Sequence, residues 1–326
     1  MHRLLMVLLL VGLIAGQAGI GATAYFTDTE LNANSTFQAW VSSQWVQTTQ
    51  GDFQAGVLNQ VDTSSSLGDV QLGSTTITLG NSANNQGDAT VAQAVHTQAD
   101  SFAAVPYNGV ITSWTYYNAG PATTGTRLEF VSGSGDTWTM MAKSDAVDLT
   151  GGIDTFTVSI PVQAGWQLGI YSGSGGKLKY NSTGGTVEGR NKNSMDFDVG
   201  VTKSDFSPST GHLSLTAVLD YYYYSGTLAS QVLDTGVAGA RWDALFWDET
   251  LESNTDITFG VRASDNLFAK DAEPNPPSVP DWISVGGMSP VTSGLPSGRY
   301  LQWRATLTTS DTSETPTLHE VTIDYY

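Results

Sequence analysis

Apolar and polar residues alternate along most of this chain, and the exception is its amino-terminal end, where residues 4–14 form a nearly unbroken apolar run. Alternation with a period of two is typical of half-buried strands, and turn-forming Gly, Asn, Asp and Ser residues separate the alternating segments. The pattern predicts strands over residues 69–72, 75–79, 110–117, 126–132, 137–143, 154–160, 167–171, 196–202, 213–221, 245–249, 257–263, 300–306 and 318–325.

This succession of short strands predicts an all-β protein with two β-sandwich, jelly-roll-like domains after an amino-terminal hydrophobic helix. A chain of 326 residues is long enough for two domains that each bury a core. The predicted division is a signal peptide or retained helix at 1–24, an extended segment and candidate donor strand at 25–50, a first sandwich at 51–224 and a second at 225–326.

The amino-terminal segment has the order of a secretory signal peptide. A short basic end at Arg3 precedes the apolar run, and small residues follow as far as Ala24. Ala22 and Ala24 give the small-x-small form that signal peptidase recognises, which predicts export to the extracellular space or cell surface. The alternative is retention, because residues 4–20 are about long enough to cross most of a bilayer as a helix. In that case the helix is the protein's membrane contact.

Composition narrows the classes of partner. The formal net charge is -18, with 31 Asp and Glu against 13 Lys and Arg, so the surface repels nucleic acid. Scattered carboxylates could bind Ca²⁺ weakly, but no calcium-loop spacing is present, and we expect no cofactor. Cysteine is absent, which excludes disulfides, a thiol nucleophile and Cys-based metal sites.

A resemblance to a known family begins directly after the small-residue stretch. Residues 21–30 read Gly-Ala-Thr-Ala-Tyr-Phe-Thr-Asp-Thr-Glu, and a short polar stretch then ends at Phe37. This segment resembles the amino-terminal signature of the TasA and camelysin family of exported proteins. The resemblance implies a sandwich subunit of matrix fibres or surface filaments, polymerised in some members by a donated strand. Here that strand would lie within residues 25–37, which makes Tyr25, Phe26 and Phe37 assembly candidates.

Two further stretches resemble jelly-roll modules of bacterial and archaeal surface proteins. Residues 109–114 carry one likeness, and residues 297–304 with 315–318 look similar to carbohydrate-binding jelly rolls. Between them, residues 221–224 form a run of four Tyr at the predicted domain junction. On a strand, two would face each way, which suits an interdomain contact or an adhesive surface patch. Tyr222 and Tyr224 are therefore also assembly candidates.

Residues suited to catalysis lack the spacing that catalysis needs. His96, His212 and His319 are far apart and form no metal-ligand pair. Carboxylate pairs that could serve a glycosidase are Asp196 with Asp198, and Asp243 with Asp248 and Glu249. Carboxylates on one strand face more often form a solvated edge, so we assign no catalytic residue and expect a protein that is not an enzyme.

Tryptophan gives a better indication of binding, because an indole face stacks on sugar rings while neighbouring polar groups bind hydroxyls. Trp114, Trp138 and Trp303 lie within predicted strands and are expected in the core. The candidate ligand-binding residues are Trp242, Asp243, Trp247, Asp281 and Trp282. Asn34 and Asn181 begin glycosylation sequons.

Together these features predict a non-catalytic structural protein of the cell surface, a filament, pilus-like or matrix subunit that self-associates. A carbohydrate-binding adhesin that uses the Trp residues is the alternative, with glycans as its partners. A secreted glycoside hydrolase ranks third.

Overall fold

The computed structural model describes residues 42–83, 88–91, 94–99, 104–171, 178–181, 188–193, 196–210, 212–286 and 288–326. The predicted amino-terminal helix and the assembly candidates Tyr25, Phe26 and Phe37 lie outside these residues, as does the sequon at Asn34. Asn181 ends a described strand, but its side chain lies outside the description.

Strands dominate the described chain, which confirms the all-β prediction. Its one helix is α1 (Gln50–Gln54), capped by Thr49, whose hydroxyl accepts a hydrogen bond from the Asp52 amide. The strands of the first half are β1 (Ser43–Gln47), β2 (Val57–Asn59), β3 (Val61–Asp62), β4 (Val70–Leu72), β5 (Ser74–Gly80), β6 (Asp88–Val91), β7 (Ala94–Ala99), β8 (Gly109–Asn118), β9 (Thr123–Ser134), β10 (Thr137–Lys143), β11 (Val147–Leu149), β12 (Gly152–Val162) and β13 (Gln167–Tyr171). The strands of the second half are β14 (Leu178–Asn181), β15 (Glu188–Asn193), β16 (Thr202–Lys203), β17 (Ser207–Thr210), β18 (His212–Leu213), β19 (Leu215–Tyr222), β20 (Ser225–Ala229), β21 (Leu233–Asp234), β22 (Trp242–Thr250), β23 (Thr255–Ser264), β24 (Ile283–Val285), β25 (Tyr300–Thr309) and β26 (Thr317–Tyr325).

The described strands pair in antiparallel sheets. Sheet A has the order β1-β26-β4-β3 with β22 also on β26, and sheet B has β2-β20-β25-β23-β24 with β21 also on β25. Sheet C has β18-β14-β8-β19-β5 with β12 on β8 and β6 on β14. Sheet D has β16-β10-β9-β13-β7-β15-β17 with β11 on β9.

Each of the two large apolar clusters receives side chains from two sheets, which is a sandwich-like arrangement. The central core lies between sheets C and D and includes Trp114 and Phe130. The carboxy-terminal core lies between sheets A and B and includes Trp303 and Ile323. A smaller outer cluster covers the other face of sheet D and consists of Val131, Trp138, Met140, Phe197 and Phe206.

Residues 43–72 belong with the carboxy-terminal strands in both pairing and packing. β1 and β4 pair with β26, β2 pairs with β20, and Phe53, Val70 and Leu72 lie in the carboxy-terminal core. The division into two sandwich domains that begin at residues 51 and 225 remains a prediction. However, residues 51–72 pack with strands assigned to the second sandwich, because their alternating apolar side chains are buried against β26 and β20.

The strand predicted at 196–202 is wrong for most of its length. Residues 196–201 form irregular structure with a turn, in which Val201 donates its amide hydrogen to the Asp198 carbonyl and Gly200 has a φ of +84°. Only Thr202 begins a strand. The apolar signal in this segment comes from Phe197, which packs into the outer cluster rather than alternating along a sheet.

Candidate functional site

The outer face of sheet B carries two arginines on neighbouring strands. In the register of β23 with β25, Arg262 lies opposite Gln302, and Gly260 lies opposite Arg304. Side chains alternate faces along a strand, so both arginines lie on the face opposite the core residue Trp303. This face is where an indole and two guanidinium groups meet.

Arg262 is almost completely buried, at 1% exposure. Its Nε donates to the Gln302 Oε1 over 2.8 Å, and its Nη1 donates to the Ala272 carbonyl over 2.9 Å. Gln302 is fixed in turn, because its Nε2 donates to the carbonyls of Ser230 and Lys270 over 2.6 and 2.8 Å. Burial lowers the pKa of the Arg262 guanidinium, and the nearby Arg304 charge lowers it further.

Trp282 lies across this pair of arginines. The guanidinium carbons of Arg262 and Arg304 are 4.3 and 4.6 Å from its ring centroid, within the range of cation–π contacts. The indole lies over Gly260 of β23, where a Cβ would be in ordinary contact with the ring, 3.6 Å from its Cε3. Trp282 remains half-buried, and Asp281 beside it is exposed.

The Trp282 cluster, consisting of Arg262, Trp282 and Arg304, brings two positive charges together, and the charge of Glu273 acts on Arg262 without a salt bridge between them. Neither arginine forms a salt bridge with a described residue, and the buried Arg304 Nε has no hydrogen-bond partner there. An aromatic ring beside guanidinium groups suits a sugar that carries a carboxylate or sulfate. Of the predicted ligand residues, Trp282 lies in this cluster, and Asp281 is its exposed neighbour in the chain.

The other predicted ligand residues do not join them. Trp242 and Trp247 are 5% and 7% exposed and lie in the carboxy-terminal core, where Trp247 packs on Phe259 at 4.5 Å between ring centroids. The prediction that these indoles stack on a ligand is wrong, because they are inward-facing residues of β22. Asp243 is exposed at a bulge in the same strand.

The two described assembly candidates make contacts within the chain. The Tyr222 amide donates to the Thr312 carbonyl over 2.8 Å, and its half-buried ring packs against the carboxy-terminal core. Tyr224 is 53% exposed and meets Tyr107 edge to face, with 6.0 Å between ring centroids. Tyr107 also stacks on Tyr221 at 4.3 Å. Of the two alternatives for the Tyr run, this geometry favours a contact between the two large cores.

The carboxylate pair Asp196 and Asp198 lies beside cations. Asp196 accepts from the Arg127 Nε over 2.9 Å and from the Lys143 Nζ over 2.7 Å, whereas Asp198 is 92% exposed and 3.5 Å from Lys143. Glu129 lies opposite Lys143 on the outer face of sheet D and is completely buried. Sequence reasoning missed Glu129 and the two arginines of the Trp282 cluster. Charged residues within otherwise apolar strands were the available signal.

Histidine chemistry is limited in the described structure. The His319 Nδ1 lies 2.7 Å from Asp69 Oδ1, and its Nε2 lies 2.9 Å from the Thr250 hydroxyl, so the ring joins the ends of strands in sheet A. His96 and His212 have side chains outside the description.

Within the described ranges, no three His, Asp or Glu side chains are placed to hold a metal ion. No helix in that part of the chain is long and apolar enough to cross a bilayer.

Comparisons with known proteins identify no family. No protein-family model and no curated protein matches the chain. Among solved structures, it is similar to a protein from Parabacteroides distasonis that is described as an inferred secreted protein, with 11% identity and a TM-score of 0.24. The similarity covers 87% of this chain and 99% of that one, and a TM-score of this size does not establish a shared fold.

Proposed function

We propose that this protein is an exported, non-catalytic structural component of the cell surface that self-associates by exchanging its amino-terminal edge strand between copies. Export rests on the signal-peptide pattern of residues 1–24, and assembly rests on the TasA and camelysin resemblance of residues 21–37. The observation that carries the proposal is the position of β1.

β1 is the first described strand and lies at an edge of sheet A. All five of its residues pair with β26, from Ser43 opposite Tyr325 to Gln47 opposite Val321. Within the described residues, the other edge of β1 has no strand partner. Such an edge is a template for pairing with another chain.

Two side chains of β1 pack into the interior formed by the carboxy-terminal strands. Trp45 packs against the carboxy-terminal core, and Gln47 is buried at 1% exposure. The same contacts would form if β1 of one copy occupied sheet A of the next, so exchange preserves the pairing and packing free energy. β1 lies within the segment 25–50 that was predicted to hold a donor strand, although further along than residues 25–37.

A disulfide that fixes β1 in its own chain tests this proposal. Gln44 and Asp324 are opposite each other, and the Gln44 Nε2 donates to the Asp324 Oδ1 over 3.0 Å, so their side chains are neighbours. The chain has no cysteine, so the double variant Gln44→Cys/Asp324→Cys has one oxidation product within a monomer. We expect oxidised monomer to stay monomeric in sedimentation and electron microscopy, and reduction to restore assembly.

The matched control is Thr258→Cys/Thr306→Cys, which places the same bond between β23 and β25. Oxidation of this control should leave assembly unchanged, because neither strand is exchanged. Assembly of the oxidised Gln44→Cys/Asp324→Cys monomer at the wild-type rate would refute strand exchange.

A second candidate function is a surface adhesin that binds acidic glycans, and the Trp282 cluster favours it. The Trp282 indole is half-buried, and the Arg304 guanidinium carbon lies 4.6 Å from its ring centroid. We expect Trp282→Ala to lose binding to uronate or sulfated oligosaccharides on a glycan array. Tyr224→Ala removes another partly exposed aromatic ring and should keep it. If Trp282→Ala binds these oligosaccharides as well as Tyr224→Ala does, the Trp282 cluster is not the binding site.

A further inference from the structure

A lysine, an aspartate and a buried glutamate lie together on the outer face of sheet D. Lys143 ends β10 and lies opposite Glu129 of β9 in the strand register, so their side chains are neighbours on one face. The Lys143 Nζ donates to the Asp196 Oδ1 over 2.7 Å and to the Phe197 carbonyl over 3.1 Å. The amine therefore lies beside a carboxyl group from a segment that is distant in sequence.

Glu129 is an unusual group for such a position. Its side chain is completely buried, and neither carboxyl oxygen has a hydrogen-bond partner among the described residues. Burial raises the pKa of Glu129 well above its usual range, and the Asp196 charge raises it further, whereas Lys143 and Arg127 oppose the shift. Burial therefore favours the protonated form of Glu129. A buried carboxyl group without a partner is costly and calls for a role.

We propose that Lys143 and Asp196 condense to an intramolecular amide, with Glu129 as the proton-transfer group. This inference concerns a covalent modification and does not depend on how, or whether, the protein assembles.

The proton transfers balance without any co-reactant. A rotation of the buried side chain first brings the Glu129 carboxyl group into hydrogen-bond contact with the two reacting groups. Glu129 then gives its proton to the Asp196 carboxylate and accepts a proton from the Lys143 ammonium, so both reacting groups become neutral. The lone pair of the Lys143 Nζ attacks the Asp196 Cγ and forms the C–N bond. The C–O bond then breaks, and the leaving hydroxyl takes one amine proton and departs as water. An ammonium and a carboxylate have become an amide and water, and Glu129 is protonated again.

The neighbouring residues favour this reaction. Arg127 donates from Nε to the Asp196 Oδ2, which holds the carboxyl group while its other oxygen faces Lys143, and stabilises the negative charge that forms during attack. Groups held in contact react with a very high effective concentration, which offsets the unfavourable equilibrium of amide formation in water. The side chains of Lys143 and Asp196 are only 17% and 27% exposed, and Phe197 of the outer cluster packs beside them. Water is thereby partly excluded.

The bond would join β10 to the segment after β15. It would close a long covalent loop between residues 143 and 196, and a cross-link over such a loop restricts the unfolded chain in the same way as a disulfide. In a protein without cysteine, this chemistry supplies a covalent cross-link by other means.

Mass spectrometry of the folded full chain tests the proposal. We expect the wild-type mass to be lower than the sequence mass by one water, no cleavage after Lys143 by a lysine-specific protease, and a branched peptide that joins Lys143 to Asp196. Lys143→Arg keeps the ion pair with Asp196 but cannot form the amide, and should have its full mass. Lys203→Arg is the matched control and should show the loss of water.

Two further variants separate the roles of the groups. Glu129→Gln keeps the shape of the buried side chain but removes the transferable proton, so it should have its full mass while it retains a native circular dichroism spectrum. Asp196→Asn should lose ammonia instead of water if the attack occurs at this carbon atom. Wild-type protein of full mass that is cleaved after Lys143 would overturn the amide, and loss of water from Glu129→Gln would overturn the assigned role of Glu129.

Discussion

The indole Nε1 of Trp303 donates a hydrogen bond to the Gln47 Oε1 over 2.6 Å, between two buried side chains. Trp303 is at the centre of the carboxy-terminal core, and Gln47 is the last residue of the edge strand β1. This bond therefore connects the first described strand to the interior, and it specifies which residue of β1 enters the core.

Replacing Gln47 tests how much this connection contributes. Gln47→Ala leaves the buried Trp303 Nε1 without its acceptor, which costs about 1–3 kcal/mol of unfolding free energy. Denaturant unfolding followed by Trp fluorescence measures the change. Gln44→Ala, an exposed position on the same strand, should change the stability by less than about 0.5 kcal/mol. Equal losses of unfolding free energy from the two substitutions would show that the hydrogen bond between Gln47 and Trp303 contributes no more to stability than an exposed side chain does.

Gly226 of β20 is required for close approach of the backbone. A Cβ at this position would lie 2.4 Å from the Gln60 carbonyl oxygen, which cannot move away without shifting the chain before β3. We expect Gly226→Ala to destabilise the protein by about 1–3 kcal/mol in thermal or denaturant unfolding.

The matched control is Gly260→Ala in the same sheet. There the nearest atoms to a new Cβ belong to Trp282 and the Ile283 carbonyl at 3.6 and 3.7 Å, which is ordinary contact. A loss at Gly260 as large as that at Gly226 would contradict the described approach of β20 to Gln60.

Asp62 makes stability sensitive to acid. Hydrogen bonds from the Ser64 and Ser65 hydroxyls and amides lower its pKa from the usual 3.8 to about 2. Because the folded pKa is below the unfolded value, this stabilisation is present above about pH 4 and is lost as the pH falls towards 2. Unfolding midpoints across this range should decrease less steeply for Asp62→Asn than for wild type. The exposed substitution Asp243→Asn should leave the wild-type slope, and a wild-type slope for Asp62→Asn would refute the assignment.

Arg262 should not tolerate lysine. A lysine cannot reproduce the geometry in which one guanidinium group binds Gln302 and Ala272 between the rings of Phe268 and Trp282. We expect Arg262→Lys to lower the unfolding free energy by about 1–3 kcal/mol, since it leaves a buried acceptor unpaired. Arg299→Lys changes an exposed arginine that pairs with Asp234 and should have a smaller effect. The reverse order of effects would contradict the burial of Arg262.

Alternation along the chain predicted most of the strands because a strand in a sandwich buries every second side chain. The predicted segments 137–143 and 167–171 coincide with β10 and β13, and 257–263 lies within β23. Strand partners were not predictable in the same way, because pairing depends on contacts that are distant in sequence. Residues 51–72 illustrate this, since their pattern gave strands but not the choice of β26 and β20.

The candidate site was harder to predict than the fold. Trp242, Trp247 and Trp282 all lie near acidic residues in the sequence, but only position on the inner or outer face separates a core indole from an accessible one. The Trp282 cluster also needs Arg262 and Arg304, which the register of β23 and β25 brings together. Glu129 had no signal beyond a charged residue in an apolar strand, because its burial depends on the segment that contains Phe197.

Mixing two chains, each with a single cysteine, tests strand exchange most directly. One chain carries Gln44→Cys and the other Asp324→Cys, and the two are mixed before assembly and then oxidised. If β1 of one copy pairs with β26 of the next, disulfides join the two kinds of chain in the assembled fraction, and mixed Thr258→Cys and Thr306→Cys chains remain unlinked. Assemblies in which the Gln44→Cys and Asp324→Cys chains also remain unlinked would contradict the account.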